Sequence, residues 1–189
     1  MILGITGIFG SGKTIVAKLF AKHGYKVINA DEIGHKLLNK KPIKSKIIRE
    51  FGKSILTNKK INRRKLKYIV FYNHKKLIKL NKIIHKPIIN EIKSIIKNKN
   101  KKIIVDGALL IEAKCVNLFD KLIVVKINKK EQLKRVLKKG KYSRTEINNI
   151  LKSQLSQKEK LKYADITVDN TKSLDNTKKQ VEKIISGLK

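Results

Sequence analysis

The octet Gly7-Ile8-Phe9-Gly10-Ser11-Gly12-Lys13-Thr14 follows directly after the apolar run at residues 1–6. Two glycines five residues apart, with Lys and then Thr after the second, form the signature of a phosphate-binding P-loop. The glycines let successive backbone N–H groups face a polyphosphate, and the helix that follows adds partial positive charge. Lys13 is expected to reach the β and γ phosphates, and Thr14 to hold Mg²⁺. The other residues expected to contact the nucleotide are Gly7, Gly10, Ser11 and Gly12.

The flanks of the octet favour the same interpretation. Residues 1–6 predict a short buried strand, and residues 14–22 repeat apolar side chains at helical spacing. Strand, glycine-rich loop and helix is the setting in which a P-loop works. A glycine turn that merely joins a strand to a helix is the weaker alternative.

Charge is the second conspicuous feature. Of 47 basic residues only five are arginine, which leaves 42 lysines and a formal net charge of +33. Lysine-, isoleucine- and asparagine-rich usage is what A/T-rich codons produce, and the basic residues are spread along the whole chain. Five Phe and five Tyr show no basic-aromatic pattern typical of RNA readers. Composition bias is therefore favoured over a specific nucleic-acid partner.

Length and cysteine usage limit the protein class. A chain of 189 residues suits one domain with a sizeable core. The single cysteine, Cys115, is expected to be a small buried residue, and the sequence begins with a strand pattern where a leader would show a cleavable apolar segment. No apolar stretch approaches the roughly 20 residues that span a bilayer. We expect a cytoplasmic protein without a membrane segment.

Periodicity predicts an α/β fold with a parallel sheet. Residues 32–98 form a long helical stretch between strands, in which Pro87 is expected to bend or restart the last helix. Within this stretch a helix is predicted at 32–38. Outside it, helices are predicted at 131–138, 145–157 and 181–188. The predicted strands are 1–6, 25–29, 102–106, 121–127 and 166–168.

Two aspartates stand at the ends of predicted strands, Asp31 and Asp106. Ligands of open α/β sheets bind just outside the carboxyl ends of the strands. A kinase that acts on an alcohol needs a carboxylate to accept the hydroxyl proton and groups that organise Mg²⁺. These two residues suit those two tasks, although either could instead cap the following helix.

A few basic residues are also candidates for anion contacts. Arginine grips phosphate with a planar fork that lysine lacks, so Arg63 is notable in a lysine-dominated chain. Arg64 is as well explained by a solvated helix start. Arg135, Lys139 and Arg144 lie along the predicted helical hairpin, where a closing lid would bring positive charge to the phosphoryl group. The four histidines show no metal-ligand spacing.

In its order of motifs the chain resembles the dephospho-CoA kinase family. The P-loop and the strand that ends in Asp31 open the likeness, which continues almost to the end of the chain. The further matching segments are Asn62–Leu66 with Phe71, Leu80–His85, Val105–Asp106, Leu109–Glu112, Gln132 with Arg135, Gln154, Lys160–Asp165 and Asp169–Asn170.

The resemblance implies a three-layer αβα P-loop kinase core with a five-stranded parallel sheet, a helical substrate-binding region at 32–98 and a lid at 131–157. It implies transfer of the ATP γ-phosphate to the ribose 3′-hydroxyl of dephospho-CoA with Mg²⁺, the last step of CoA biosynthesis. It matches Asp31 to the proposed general base, Asn170 to the adenine-side loop, and His85 to a histidine of the substrate region.

The chain departs from the family pattern at several positions. Ile8, Asn29 and Ala108 replace a glycine, an aspartate and a proline, and none of these removes a P-loop essential. Lys86 separates His85 from Pro87, which the family keeps adjacent. Lys139 stands where arginine is common, which keeps the charge but loses the fork. Slower transfer or looser closure is expected.

Two other functions compete with this one. Another kinase of the adenylate-kinase-like group would share the P-loop and differ in the helical insertion. A nucleic-acid-binding protein would leave the aspartates and the chain-long match unexplained. The sequence leaves the oligomeric state undecided and favours a monomer, with ATP and dephospho-CoA as the expected partners.

Overall fold

The computed structural model describes residues 1–97 and 102–188. Within those ranges the chain forms seven β-strands and nine α-helices. The strands are β1 (Ile2–Thr6), β2 (Lys26–Asn29), β3 (Leu56–Thr57), β4 (Lys60–Ile61), β5 (Ile103–Asp106), β6 (Lys121–Lys126) and β7 (Ile166–Asp169). The helices are α1 (Lys13–Ala21), α2 (Ala30–Leu37), α3 (Lys41–Phe51), α4 (Arg63–Phe71), α5 (His74–Ile96), α6 (Lys129–Lys138), α7 (Arg144–Lys152), α8 (Gln157–Leu161) and α9 (Leu174–Gly187).

Five strands form a sheet in the order β2-β5-β1-β6-β7, and every neighbouring pair is parallel. All five residues of β1 are buried, as expected for a central strand covered on both faces. In a parallel sheet the carboxyl ends of the strands meet at one edge, so Thr6 and Asp106 end neighbouring strands there. The predicted α/β fold with a five-stranded parallel sheet is confirmed.

One face of this sheet is covered by α1 and α9. Leu3 and Ile5 of β1 pack with Val16 and Phe20 of α1 and with Val181 of α9 in one buried cluster. The apolar repeat that predicted α1 is thus the stripe that faces the sheet. This packing fixes the start of α1, and with it the P-loop, against the end of β1.

The chain divides into two compact units. The core unit comprises residues 1–29 and those from 96 onward, and the helical unit comprises residues 30–95. The helical unit has its own buried cluster, which includes Ile47, Ile55, Leu66 and Val70. Its bounds lie near the predicted helical region 32–98, whose last residue is outside the described residues. That this unit binds substrate stays a prediction.

Within the helical unit, residues 52–62 contain a short hairpin that periodicity did not indicate. β3 pairs antiparallel with β4, and Asn58 and Lys59 between them both adopt positive φ. Two-residue hairpin loops require this geometry, and asparagine tolerates it better than most residues. A two-residue strand is too short to show an alternating pattern, so Asn58 in the turn was the available sign of the hairpin.

α5 runs without interruption from His74 to Ile96 with Pro87 inside it. The restart, one of the two outcomes expected at Pro87, is therefore wrong, and the helix continues although proline has no amide N–H to donate. Among the helices in the described ranges, α5 included, none is long and apolar enough to cross a membrane.

The helical hairpin also differs from expectation at its second half. The predicted helix 145–157 ends at Lys152, and α8 begins at Gln157. The reason is a capping box in which the Ser156 hydroxyl accepts from the Glu159 amide while the Glu159 carboxylate accepts from the Ser156 amide. A second capping box, Ser143 with Glu146, starts α7. Likewise α9 starts seven residues earlier than predicted, with Ser173 as its cap.

Cys115 provides a test of the core. Its side chain is 2% exposed, and burial raises the pKa of its thiol to about 11. We expect reaction with a disulfide reagent at pH 8 to be about 100-fold slower in the folded protein than in denaturant, because thiolate and access are both lost. Labelling kinetics with and without denaturant measure this.

Linkage gives the matching expectation for stability. Because the thiol pKa is higher in the folded than in the unfolded protein, the thiolate favours the unfolded state. The contribution of Cys115 to the free energy of unfolding is present below about pH 8.5 and declines as pH rises toward 11. Equal labelling rates in native buffer and denaturant would contradict the buried position.

Candidate active site

The P-loop connects the buried end of β1 to the start of α1. Gly10 and Gly12 adopt φ of 79° and 90°, a region that L side chains rarely occupy. A Cβ on Gly10 would lie 2.5 Å from Val136 Cγ2, and one on Gly12 would overlap the side-chain nitrogen of Asn170. Backbone shape and close packing thus both require glycine at these two positions.

The start of α1 suits an anion. Gly12 is the N-cap and has no side chain to bond the first amides of the helix. The next residue, Lys13, is half-buried, and its Nζ donates to the carbonyl of Ile8 at 3.3 Å. The Ser11 hydroxyl is buried inside the loop without a hydrogen-bond partner among the described residues. A helix start without a side-chain cap and an unsatisfied buried hydroxyl among the described residues fit a phosphate group.

Thr14 and Asp106, the two predicted metal ligands, lie in direct contact. The Thr14 hydroxyl donates to Asp106 Oδ2 at 2.8 Å. Asp106 ends β5 and is 4% exposed, whereas Thr14 is exposed in the first turn of α1. β5 pairs with β1 so that Asp106 stands opposite Ile5, which places the carboxylate beside the P-loop.

This pair of oxygen ligands fits Mg²⁺. The ion keeps several waters and takes one or two protein oxygens together with phosphate oxygens. The described residues contain no group of three His, Cys, Asp or Glu side chains that could hold a metal by themselves. A hydroxyl and one carboxylate beside a P-loop are therefore the donors that a nucleotide-bound Mg²⁺ needs.

Phe9, in the middle of the P-loop, is held by side chains from the helical hairpin. Its amide donates to Gln154 Oε1 at 2.9 Å, and its carbonyl accepts from Gln132 Nε2 at 2.5 Å. The Phe9 ring also packs edge to face on Tyr142, with centroids 5.1 Å apart. The segment predicted as a lid is thus in contact with the loop that it would cover.

Asn170 braces the P-loop from the other side. Its side-chain nitrogen donates to the Ser11 carbonyl at 2.8 Å, and its side-chain oxygen accepts from the Thr177 hydroxyl at 2.9 Å. Its backbone N–H donates to the Lys126 carbonyl. With these groups engaged, Asn170 acts on the shape of the loop, and a direct nucleotide contact stays a prediction that these bonds do not favour.

Arg135 is engaged in a similar way. Its Nε donates to Glu131 at 2.8 Å, and its two terminal nitrogens donate to the carbonyls of Asn170, Thr171 and Lys172 at 2.8–3.1 Å. One guanidinium therefore fixes three consecutive carbonyls of the loop after β7. By contrast, Lys139 at the end of α6 and Arg144 at the start of α7 are exposed.

In the helical unit, Asp31, His35 and Arg63 are electrostatic neighbours. Asp31 is exposed in the first turn of α2, and since the helix begins at Ala30, Asp31 lies inside the helix and is not its cap. Burial and then the charge of Arg63 lower the pKa of His35, while Asp31 and Glu32 oppose that shift. His35 was not among the predicted site residues, although its spacing of four residues from Asp31 on a helix was the available signal.

Two further residues predicted to contact substrate, Arg63 and His85, lie on helices of this unit. Arg63 is the first residue of α4, which Asn62 caps by accepting from the amides of Arg64 and Lys65. His85 lies on the middle of α5 and is half-buried. Within the core unit, the structure brings together the P-loop, Thr14, Asp106, Asn170 and Arg135.

Comparison with known proteins gives a consistent result. The model of the family described as "CoaE: Dephospho-CoA kinase" matches residues 1–176. The dephospho-CoA kinase of Fusobacterium nucleatum subsp. nucleatum is 42% identical over 185 residues, which cover 97% of this chain and 96% of that protein. The dephospho-CoA kinase of Carboxydothermus hydrogenoformans is 38% identical over 97% of this chain and 92% of its own.

Solved structures agree in fold. The dephospho-CoA kinase from Campylobacter jejuni aligns with a TM-score of 0.71 and 31% identity, over 99% of this chain and 96% of that one. A shikimate kinase from Acinetobacter baumannii aligns with a TM-score of 0.58 and 16% identity over 99% of this chain and 92% of its own, which indicates a shared fold only.

The contact between Thr14 and Asp106 generates a prediction. Thr14→Val removes the hydroxyl and keeps the shape, so Mg²⁺ should strengthen ATP binding about tenfold less than it does for the parent protein. Titration of ATP with Mg²⁺ and with EDTA measures the difference. The control is Thr167→Val on β7, an exposed threonine of the same sheet. An unchanged Mg²⁺ effect in Thr14→Val would remove Thr14 from the metal site.

Proposed function

This chain belongs to the dephospho-CoA kinase family, and we propose that its P-loop, Asp106 and Asp31 perform the reaction of that family. In that reaction the ribose 3′-hydroxyl of dephospho-CoA attacks the γ-phosphorus of ATP, the bond from the γ-phosphorus to the β–γ bridging oxygen breaks, and ADP leaves. The observation that carries the proposal is the contact of Thr14 with Asp106 beside the P-loop. The P-loop would form the cradle for the nucleotide, and this contact places two oxygen ligands beside it.

The P-loop would hold the triphosphate. Backbone amides at the start of α1 would bond phosphate oxygens, and Lys13 would exchange the Ile8 carbonyl, now 3.3 Å from its Nζ, for the β and γ phosphates. Thr14 and Asp106 would hold Mg²⁺, which supplies neutralising charge for the phosphate oxygens. Catalysis by these residues is positioning and charge stabilisation.

Asp31 would accept the proton of the attacking hydroxyl. It follows β2 by two residues and is exposed, so its carboxylate is accessible to an incoming hydroxyl. Because the lowered pKa of His35 favours its neutral form, Arg63 is the cation whose charge acts on His35 together with that of Asp31. Arg63 and His85 are proposed to contact the substrate from the helical unit.

The segment 131–157 is proposed as the lid. Lys139 and Arg144 are two exposed cations of this segment, and we propose that they reach the transferring phosphoryl group. Arg135 is proposed to support transfer by fixing the carbonyls of residues 170–172, which would shape the adenine-side loop. Cytoplasmic location, a monomeric state and the absence of a specific nucleic-acid partner stay predictions from the sequence.

The alternative substrate class is a nucleoside monophosphate, because P-loop kinases that share this fold differ in their acceptor. Purified protein should release ADP from ATP with dephospho-CoA as acceptor, with formation of CoA. Comparable turnover with AMP in its place would refute the assignment. Mass spectrometry of the product separates transfer to the acceptor from ATP hydrolysis.

Asp31→Asn tests the proton acceptor. We expect kcat to fall by about two to four orders of magnitude, because an amide cannot accept the hydroxyl proton, while ATP affinity stays within about threefold. Steady-state kinetics and ATP titration measure the two quantities.

Glu32→Gln is the matched control, since Glu32 is the neighbouring exposed carboxylate in the same helical turn. It should change kcat less than about threefold. Unchanged turnover in Asp31→Asn would assign the base to another residue. Lys13→Ala should weaken ATP binding itself, which separates phosphate handling from proton transfer.

A further inference from the structure

One lysine is unlike the others of this lysine-rich chain. Among the residues that the structure describes, Lys160 of α8 is the only buried lysine, with an exposed fraction of 0%. Its Nζ donates three hydrogen bonds, to both carboxylate oxygens of Glu112 at 2.7 and 2.9 Å and to the Ala108 carbonyl at 2.9 Å. All three ammonium protons are therefore used.

The same ion pair contacts the backbone at two places. Glu112 Oε1 also accepts from the amide of Leu155 at 2.9 Å, and the Ala108 carbonyl also accepts from the Thr6 hydroxyl at 3.2 Å. Burial lowers the pKa of Lys160, and the bond and charge of Glu112 counteract that shift. Two charged side chains thus join the segment after β5 to the connection between α7 and α8.

Stability is a weak reason for such a pair. Removing two charges from water costs free energy that their attraction offsets only in part, and apolar pairs of similar size are often at least as stable. What an apolar pair cannot do is bond the Ala108 carbonyl and the Leu155 amide. The distinctive property of the ion pair is therefore the placement of these two backbone groups.

Both backbone groups are connected to the candidate active site, through neighbouring residues and their hydrogen bonds. Ala108 is two residues beyond Asp106, and its carbonyl partner Thr6 is the last residue before the P-loop. Leu155 directly follows Gln154, whose side chain accepts from the Phe9 amide inside the P-loop. A shift at either group would move the metal carboxylate or the loop that holds phosphate.

We propose that Lys160 and Glu112 are positioning residues for phosphoryl transfer, which hold Asp106 and, through Gln154, Phe9 in place. The proposal rests on the proposed function and adds two residues to those proposed above to contact substrate or metal. It assigns them an effect on the geometry of transfer, so kcat should change more than the KM for ATP.

The first test is the neutral pair Lys160→Met with Glu112→Gln, which leaves no buried charge unpaired. The double variant should unfold within a few degrees of the parent protein while its kcat falls about 10- to 100-fold, with a smaller change in KM for ATP. Lys158→Met, an exposed lysine of the same helix, is the control and should leave both quantities unchanged.

A second readout does not depend on activity. Amide hydrogen exchange of Phe9 should accelerate at least tenfold in the double variant relative to exchange of Ile5, which lies in the buried strand β1. Lys160→Met with Glu112→Leu should accelerate it further, because the acceptor of the Leu155 amide is then also lost. If the ion pair had only a structural role, the amide exchange rates of Phe9 and Ile5 would increase together.

A charge-swapped pair, Lys160→Glu with Glu112→Lys, separates the two explanations for the ion pair. It keeps opposite charges, but the carboxylate then on α8 cannot donate to the Ala108 carbonyl, and the ammonium opposite it cannot accept from the Leu155 amide. Low kcat is therefore expected. Parental kcat in the swapped or the neutral pair, with unaltered Phe9 exchange, would overturn the proposal. If the parent protein itself forms no CoA, the proposed function fails, and the Phe9 exchange still tests the positioning.

Discussion

The turn from β1 into α1 is the constraint on which the rest of the structure depends. β1 is the central strand and wholly buried, so the chain must leave its carboxyl end and turn tightly into α1. Gly10 and Gly12 make this possible because they adopt positive φ and let Val136 and Asn170 approach the backbone. The start of α1 and the close neighbours of the loop follow from it.

The core unit supports this loop with polar contacts from several directions. Gln132 and Gln154 hold Phe9, and Asn170 holds the Ser11 carbonyl. Each is an amide side chain, which can donate or accept without adding charge beside a site for a triphosphate. The loop is thus preorganised by neutral groups, while Lys13 and the start of α1 supply positive charge at the loop itself.

Most of the sheet, and the grouping of residues in the candidate nucleotide site, could be predicted from the sequence. The P-loop has a fixed spacing, and Thr14 and Asp106 proved to be in contact because strand ends meet at one edge of a parallel sheet. Boundaries were less predictable where a cap competed with periodicity, as at Ser156, which starts α8. The continuous α5 shows the reverse case, since the helical period persisted through Pro87, where a restart was one of the two expected outcomes.

By itself, the sequence determined that this chain has an α/β core with a P-loop kinase motif, because strand and helix periods and the glycine spacing are local properties of the chain. Only the tertiary structure decided that Lys160 is buried against Glu112 and that Arg135 bonds three loop carbonyls. The partners in these contacts lie 35 to 48 residues apart. Nothing local distinguishes Lys160 from the 41 other lysines, because its burial depends on how distant segments pack.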